Sequence, residues 1–314
     1  MDIQYLLLLQ KLRELTGGIF NSFFMFITDL GWSVIPFLVL AGVYWCINKK
    51  AGRYMLANTY IAGWINGMVK ITACVYRPWV RSSAIEPVPE ARTTATGYSF
   101  PSGHTANAFA VWGGLGVAYR KKKAIRNTMI ILLILIAFSR NYLGVHTPQD
   151  VLVSSLIGII VLFITFKVFP KFENDTSKDK WILLASIIMA VTVIVYASLK
   201  SYPMDYVDGA LLVDPVKMAL DSWGQGGEIL AFGLGWYVER KWINFSTDGD
   251  ASTRLSRFLI GGLILVALFH LASPILALFL NESISKFLSR FIIVSFIMII
   301  WPYFIKKQNM KNND

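Results

Sequence analysis

The sequence predicts an all-α fold, a polytopic transmembrane helical bundle of about nine spans. Three observations carry that prediction. The 314 residues are 55% hydrophobic and only 16% charged, too apolar for a soluble domain of this size. Apolar runs of about 17 to 25 residues, long enough to cross a bilayer as helices, recur from end to end. The basic clusters between those runs all fall on one side when the runs are threaded through a membrane in turn.

The nine segments are roughly 31–48, 53–74, 103–119, 126–142, 150–168, 181–199, 223–239, 257–280 and 287–305. Those at 103–119 and 223–239 are short and glycine-rich. Ahead of them, MDIQYLLLLQKLRELTGGIF does not read as a signal peptide, because it lacks a basic n-region and an A-x-A-like site and its apolar core is short. Leu8, Leu12 and Leu15 share a helical face there, which predicts an amphipathic helix lying on the membrane surface.

The net charge of +11 raises nucleic acid as a partner, but the distribution argues against it. NKKAGR, YRKKKAIR, Lys178 with Lys180, ERK and the KKQNMK tail share one side, which the positive-inside rule makes cytoplasmic. The N-terminus, the 75–102 loop, the 139–149 turn and the 200–222 loop then face outward. The expected partners on this evidence are membrane lipids; nothing in the sequence specifies an oligomeric state. Cys46 and Cys74 fall at opposite ends of consecutive spans, far beyond the roughly 7 Å Cα separation a disulfide allows, so both are read as packing residues. No CxxC or Cys/His zinc spacing is present, and neither a metal nor a cofactor is expected.

Three polar islands lie on the outer side. In KITACVYRP, Lys70 and Arg77 are seven apart, a separation that returns to one face of a continuous helix. Two cations so placed repel each other unless an anion joins them; a lone lysine there would instead snorkel. In GYSFPSGHTANAF, Pro101-Ser102-Gly103-His104 opens a helical run. Free N–H groups at a helix start favour an anion; Gly103 permits close approach, Ser102 donates a hydroxyl and His104 carries a proton. A capped helix start with a satisfied histidine is the plainer alternative. In SRNYLGVHTPQD, Thr147-Pro148-Gln149-Asp150 has an N-cap, a proline at the first helical position and an acid in the first turn. Asp150 both caps that helix and accepts from one nitrogen of His146, leaving the other as a free lone pair. Arg140 supplies a planar fork suited to phosphate.

In these residues the chain resembles the type 2 phosphatidic acid phosphatase superfamily, of lipid phosphate phosphatases, glucose-6-phosphatases and vanadium haloperoxidases. The signature K-x6-R-P, P-S-G-H and S-R-x5-H-x3-D stands here as Lys70…Arg77-Pro78, Pro101-Ser102-Gly103-His104 and Ser139-Arg140…His146…Asp150, over about residues 55 to 165. The resemblance implies a metal-independent, two-step phosphoryl transfer. Lys70, Arg77, Ser102, Gly103 and Arg140 would bind phosphate. His146 would be the nucleophile, oriented by Asp150, and His104 the leaving-group acid and then the base for water. The first span and the four C-terminal spans lie outside the resemblance. The chain itself reads as one integrated domain divided at the polar linker KFENDTSKDK into residues 1–170, an N-terminal amphipathic helix with the catalytic transmembrane core, and 171–314, a C-terminal four-span half. The nine-span layout is similar to the glucose-6-phosphatase and sphingosine-phosphate phosphatase branches.

The expected function is hydrolysis of a lipid phosphate or diphosphate at the extracytoplasmic face, with the C-terminus cytoplasmic. The alternatives are hydrolysis of a soluble sugar phosphate, a lipid phosphotransferase, and a non-catalytic lipid-binding or transport protein. The loop carrying Asp205, Asp208, Asp214 and Asp221, with Glu228 after it, reads as an ordinary solvated loop with Glu228 paired inside the bundle. A wall or lid over the cleft is the other reading. His270, mid-span, is a functional candidate by default, but with no signature around it reads as a hydrogen-bonded packing residue.

Overall fold

A computed structural model of the chain describes residues 2–207 and 209–311. Asp208 of the 200–222 loop lies outside the described residues, as do the last three residues of the tail. Among the described residues the helices are α1 (Asp2–Leu15), α2 (Asn21–Asp29), α3 (Val34–Gly42), α4 (Lys49–Ala73), α5 (Pro78–Arg81), α6 (Pro89–Thr94), α7 (Gly103–Ala108) and α8 (Gly114–Ala118). There follow α9 (Lys123–Tyr142), α10 (Pro148–Glu173), α11 (Asp179–Leu199), α12 (Pro215–Val238), α13 (Ala251–Ala277), α14 (Glu282–Ser295) and α15 (Trp301–Lys311). A two-stranded antiparallel hairpin, β1 (Tyr206–Val207) and β2 (Ala210–Leu211), interrupts them, with Tyr206 opposite Leu211.

Five helical stretches are long and apolar enough to span a membrane: Lys123–Tyr142, Pro148–Glu173, Thr176–Leu199, Ala251–Ala277 and Glu282–Met310. Asn21–Asp29 and Val34–Ile47, bent by 47° at their junction, make a sixth if they form one span. The other three expected segments take different forms. α4 has the length but carries Lys49, Lys50, Arg53 and Lys70 along with buried Asn58 and Asn66. The 103–119 run is helical but passes through a π-turn at Phe109–Gly113. α12 holds the glycine-rich 223–239 run.

The chain divides into two compact units that interleave in sequence. Unit 1 comprises Met1–Pro36, Ile65–Leu162 and Lys200–Met218; unit 2 comprises Phe37–Trp64, Phe163–Leu199 and Ala219–Asp314.

In unit 1, α1 buries Leu6, Leu9 and Arg13 while Leu8, Leu12 and Leu15 stay exposed. That exposed apolar stripe is the one the sequence assigned to a surface-lying helix. Arg13 anchors the buried face, donating to the carbonyls of Tyr142 and Glu86. α2 and α7 both pack on α9. Under the loop joining α9 to α10 lies a cluster of Val88, Ala91, Ala95, Tyr142, Leu143 and Val145. The loop turns at Gly144, where φ is +75° and an added Cβ would come within 3.1 Å of the Pro87 Cα, so the position favours glycine. α10 then starts with Thr147 and Asp150 as reciprocal caps: the Thr147 N–H donates to Asp150 Oδ2 at 2.8 Å, and the Asp150 N–H to Thr147 Oγ1 at 3.4 Å.

In unit 2, α13 and α14 form an antiparallel pair, and Trp45 donates to the Ile297 carbonyl at 2.8 Å. Its polar centre is an ion-pair network. Arg53 forks onto Glu173, with Nε at 3.0 Å from Oε2, and reaches Glu239 Oε2 at 2.9 Å. Lys49 joins Glu239 at 2.6 Å, and Arg240 joins Asp179 at 2.9 Å. Glu228 is paired with Arg290 at 3.6 Å, as expected. His270 departs from expectation. It is exposed on α13 with the Phe269 ring 5.5 Å away and no hydrogen bond among the described residues, because its helix face has no packed neighbour to bond.

Candidate active site

All eight residues singled out from the sequence fall in unit 1, on four separate pieces of chain. Lys70 is in the last turn of α4. Arg77, however, does not continue that helix face. Cys74 turns left-handed at φ +47°, and Arg77 is extended at φ −63°, ψ 153°. Pro78 explains this, since a residue before proline is pushed out of the helical region. Arg77 returns to the site through its side chain instead. Nε donates to the Gly97 carbonyl at 3.1 Å, Nη2 to Thr96 at 3.0 Å and Nη1 to Val145 at 3.0 Å. Lys70 Nζ donates to the carbonyls of Tyr98, Ser99 and Pro101 at 3.0, 3.1 and 2.6 Å. The segment 96–101 thus aims its carbonyls at both cations.

His146 is 1% exposed and Asp150 likewise. His146 Nδ1 lies 3.2 Å from Asp150 Oδ2, and Nε2 lies 2.9 Å from Arg77 Nη1. A guanidinium can only donate and a carboxylate only accept. The proton is therefore assigned to Nδ1, and Nε2 carries the lone pair. Burial, then the charges of Arg77, Arg140 and Lys70, hold His146 well below its ordinary pKa. The imidazole is neutral at pH 7. Arg77 is also lowered, to about 10, by burial, and remains charged.

Arg140 is fully buried near the end of α9. Nη1 donates to Thr28 Oγ1 of α2, but Nε and Nη2 have no hydrogen-bond partner among the described residues. Two unmet donors on a buried cation are costly and require an explanation. Ser102 caps α7, its Oγ accepting from Thr105 Oγ1 at 3.0 Å, which leaves its own proton free to donate. A Cβ built on Gly103 would meet nothing within 4 Å, so the space over this backbone is open. His104, half-buried, tilts toward the Trp32 ring at 6.3 Å and feels the charges of Arg140, Arg77 and Lys70.

Three contributors escaped the sequence reading. Ser99 Oγ donates to Asp150 Oδ2 at 2.5 Å. Thr28 holds Arg140, and Trp32 flanks His104. No spacing signal marks them, because each reaches the site only through the tertiary fold. The loop after α11 also belongs to unit 1. Tyr76 donates to Asp205 at 2.5 Å, and Tyr98, Val213 and Met218 form a small core.

A model of the PAP2 superfamily matches residues 51–174, and one described as PAP2 superfamily phosphatase, transmembrane extension, matches residues 223–313. Undecaprenyl-diphosphatase BcrC of Bacillus subtilis is 30% identical over 155 residues, covering 48% of this chain and 76% of that protein. Phosphatidylglycerophosphatase B of the same bacterium is 27% identical over 150 residues, 44% of this chain and 70% of that one. Dihydrosphingosine 1-phosphate phosphatase YSR3 of Saccharomyces cerevisiae is 23% identical over 176 residues, 53% and 43% of the two chains. No solved structure matches. The second matched segment lies in the C-terminal region, where the sequence analysis found apolar spans and no chemical motif. With its three polar islands gathered in one unit and a relative of this identity and coverage, the chain is a member of the PAP2 superfamily, a phosphatase built into a membrane.

Proposed function

We propose that the protein hydrolyses a lipid phosphate or diphosphate at the extracytoplasmic membrane face, through a phosphohistidine on His146 and without a metal ion. The observation that carries this reading is Arg140, a buried cation with two unmet donors in the same unit as a neutral histidine whose proton is turned toward a carboxylate. Phosphate oxygens supply the acceptors those donors lack. The substrate class is supported by the relatives, whose names specify a lipid diphosphate, a glycerophospholipid phosphate and a sphingoid phosphate.

In the proposed sequence, phosphate oxygens take the donors of Arg77 and Arg140, with help from Lys70, Ser102 Oγ and the Gly103 N–H. Arg77 Nη1 then no longer holds His146 Nε2, and that lone pair attacks phosphorus. The bond to the leaving oxygen breaks as His104 gives it a proton. In the second step His104 takes a proton from water, the hydroxide oxygen bonds to phosphorus, and the N–P bond breaks to restore the neutral imidazole. Positioning and fixed positive charge do most of the work such a transfer needs.

Nine spans, with the three islands outside and the KKQNMK tail inside, follow from the one-sided basic clusters. A single cysteine at exposed Ser83, in a chain lacking Cys46 and Cys74, should react with an impermeant reagent on intact cells; protection there, with labelling at Asn312, would reverse the orientation. Activity is tested by phosphate release over a panel of lipid phosphates, lipid diphosphates and sugar phosphates in the presence of EDTA. Release from the lipids with EDTA is expected. Turnover of sugar phosphates alone would replace the substrate class, and full reversible loss on chelation would reject the metal-free chemistry.

A further inference from the structure

We infer that Ser99 is a positioning residue for the nucleophile, a third donor on the Asp150 oxygen that fixes the tautomer and orientation of His146; this rests on the assignment of His146 above. Ser99 is 1% exposed; it lies in the second island, two residues before Pro101, and is not one of the eight residues assigned a role above. Its hydroxyl has one proton, and the geometry shows where it goes. Oγ lies 2.5 Å from Asp150 Oδ2, against 3.3 Å from His146 Nδ1. The shorter contact to a charged acceptor takes the proton, because hydrogen bonds to ionised groups are the stronger ones.

Asp150 Oδ2 therefore receives three donors: Ser99 Oγ, His146 Nδ1 at 3.2 Å and the Thr147 N–H at 2.8 Å. The Thr147 bond is part of the helix cap and holds the carboxylate along the α10 axis. The Ser99 bond comes from a different piece of chain and fixes the carboxylate against rotation toward or away from the ring. Ser99 is itself held at both backbone groups. Its N–H donates to the Val75 carbonyl at 2.7 Å, and its carbonyl accepts from Lys70 at 3.1 Å. One residue thereby ties a phosphate-binding cation to the group that orients the nucleophile.

The electrostatic consequence has a definite sign. The groups acting on His146 are Asp150 at the start of α10, Lys70 from α4, Arg77 from the loop after it, Arg140 from α9 and His104 from α7. Asp150 stabilises the imidazolium, as does the backbone carbonyl of Ser99, which every Ser99 variant retains. Removing the Ser99 donor leaves more negative charge on Oδ2 for the imidazole to feel. His146 then keeps its second proton to higher pH, and the nucleophile is lost from the acid side.

The test compares Ser99→Ala, Ser99→Cys and Ser99→Thr in the full-length detergent-solubilised protein, with p-nitrophenyl phosphate as probe. Ser99→Ala should lower kcat by about 10- to 100-fold, the range expected for one hydrogen bond to a charged group. KM should change little, and the acidic limb of the pH profile should move to higher pH. Ser99→Cys keeps the volume but only a weak donor, so it should move the limb the same way even if the alanine variant does not fold. Ser99→Thr retains the hydroxyl and should keep the parent limb. A raised KM with an unmoved limb in the alanine or cysteine variant would reduce Ser99 to a support for Lys70 and overturn the inference. His146→Ala is the control that separates the two levels. If it still forms phosphoenzyme, the nucleophile assignment falls; if it does not, and Ser99→Ala and Ser99→Cys behave as parent, only the role of Ser99 falls.

Discussion

Arg53 and Arg240 in unit 2 and Arg140 in unit 1 are all withdrawn from solvent, yet they are surrounded differently. The unit 2 network sets Lys49, Arg53 and Arg240 against Glu173, Asp179 and Glu239, so the positive and negative charges balance. Trp236 adds a donor to Asp179 at 2.8 Å. Arg140 instead has one hydroxyl, two unmet donors and no carboxylate within ion-pair distance among the described residues. Arg77 donates to carbonyls and the His146 ring and lies over the Trp79 ring, with no carboxylate within ion-pair distance among the described residues. A buried arginine closed by carboxylates is structure; one left open has room for an anion. The same residue type serves both ends, and only its partners tell them apart.

That contrast makes paired predictions of opposite sign. Arg140→Lys should lower kcat/KM by about 10²-fold or more, because an ammonium cannot reproduce a two-pronged guanidinium contact and each charged hydrogen bond is worth a factor of ten or more. Its thermal midpoint should hold or rise, since the unmet donors are removed. Retained turnover in that variant would dissolve the distinction between the two regions. Glu239→Ala should do the reverse. It strands Lys49 and Arg53 beside a missing partner, a change that costs about 3–5 kcal/mol when one member of a buried pair is removed. A large drop in the thermal midpoint is expected, with turnover per folded molecule unchanged. Lost turnover in a still-folded Glu239→Ala protein would show that the unit 2 network takes part in the reaction.

A smaller effect concerns pH. Burial and three cations depress His146 in the folded protein, so it stays neutral as the pH falls below about 6.5, the ordinary histidine value. The acidic limb of kcat/KM should lie below that value. The sign for stability follows from the same shift: the contribution is full above the unfolded-state value and declines as the pH falls below it. An acidic limb at or above the ordinary value would mean that the uncompensated charge in unit 1 does not reach the nucleophile.

Much of this was legible in the sequence, for identifiable reasons. The three islands carry fixed spacings of residue types that membrane helices otherwise avoid, and such spacings survive without knowledge of the fold. Thr147, Pro148 and Asp150 announce a helix start because capping is local chemistry. Lys70 and Arg77 misled the helical-face argument, since their separation matches the period but α4 ends at Ala73 and the chain turns left-handed at Cys74 between them. His270 misled in the other direction, because sequence cannot say which face of an apolar helix is packed. Ser99, Thr28 and Trp32 were invisible. A serine, a threonine or a tryptophan in a loop or helix end has many uses, and theirs are set by contacts spanning 51, 112 and 72 residues. The loop after α11 gave mixed signals. Asp205 does hold Tyr76, beside Arg77, while Glu228 is paired as an ordinary bundle residue.

The two histidines offer the most direct test of the central claim, that His146 takes the phosphoryl group and His104 moves the proton. General acid catalysis contributes about 10²–10⁴-fold, and little of it is needed when the leaving group is as good as p-nitrophenolate. His104→Ala should therefore still transfer the phosphoryl group from p-nitrophenyl phosphate to His146. Without a base for water, the phosphoenzyme should then accumulate. Rapid-mix kinetics on the purified protein should show a burst of nitrophenol from His104→Ala, matched by acid-labile phosphate on the protein, and neither from His146→Ala. A burst from His146→Ala would place the nucleophile on another residue and contradict the account.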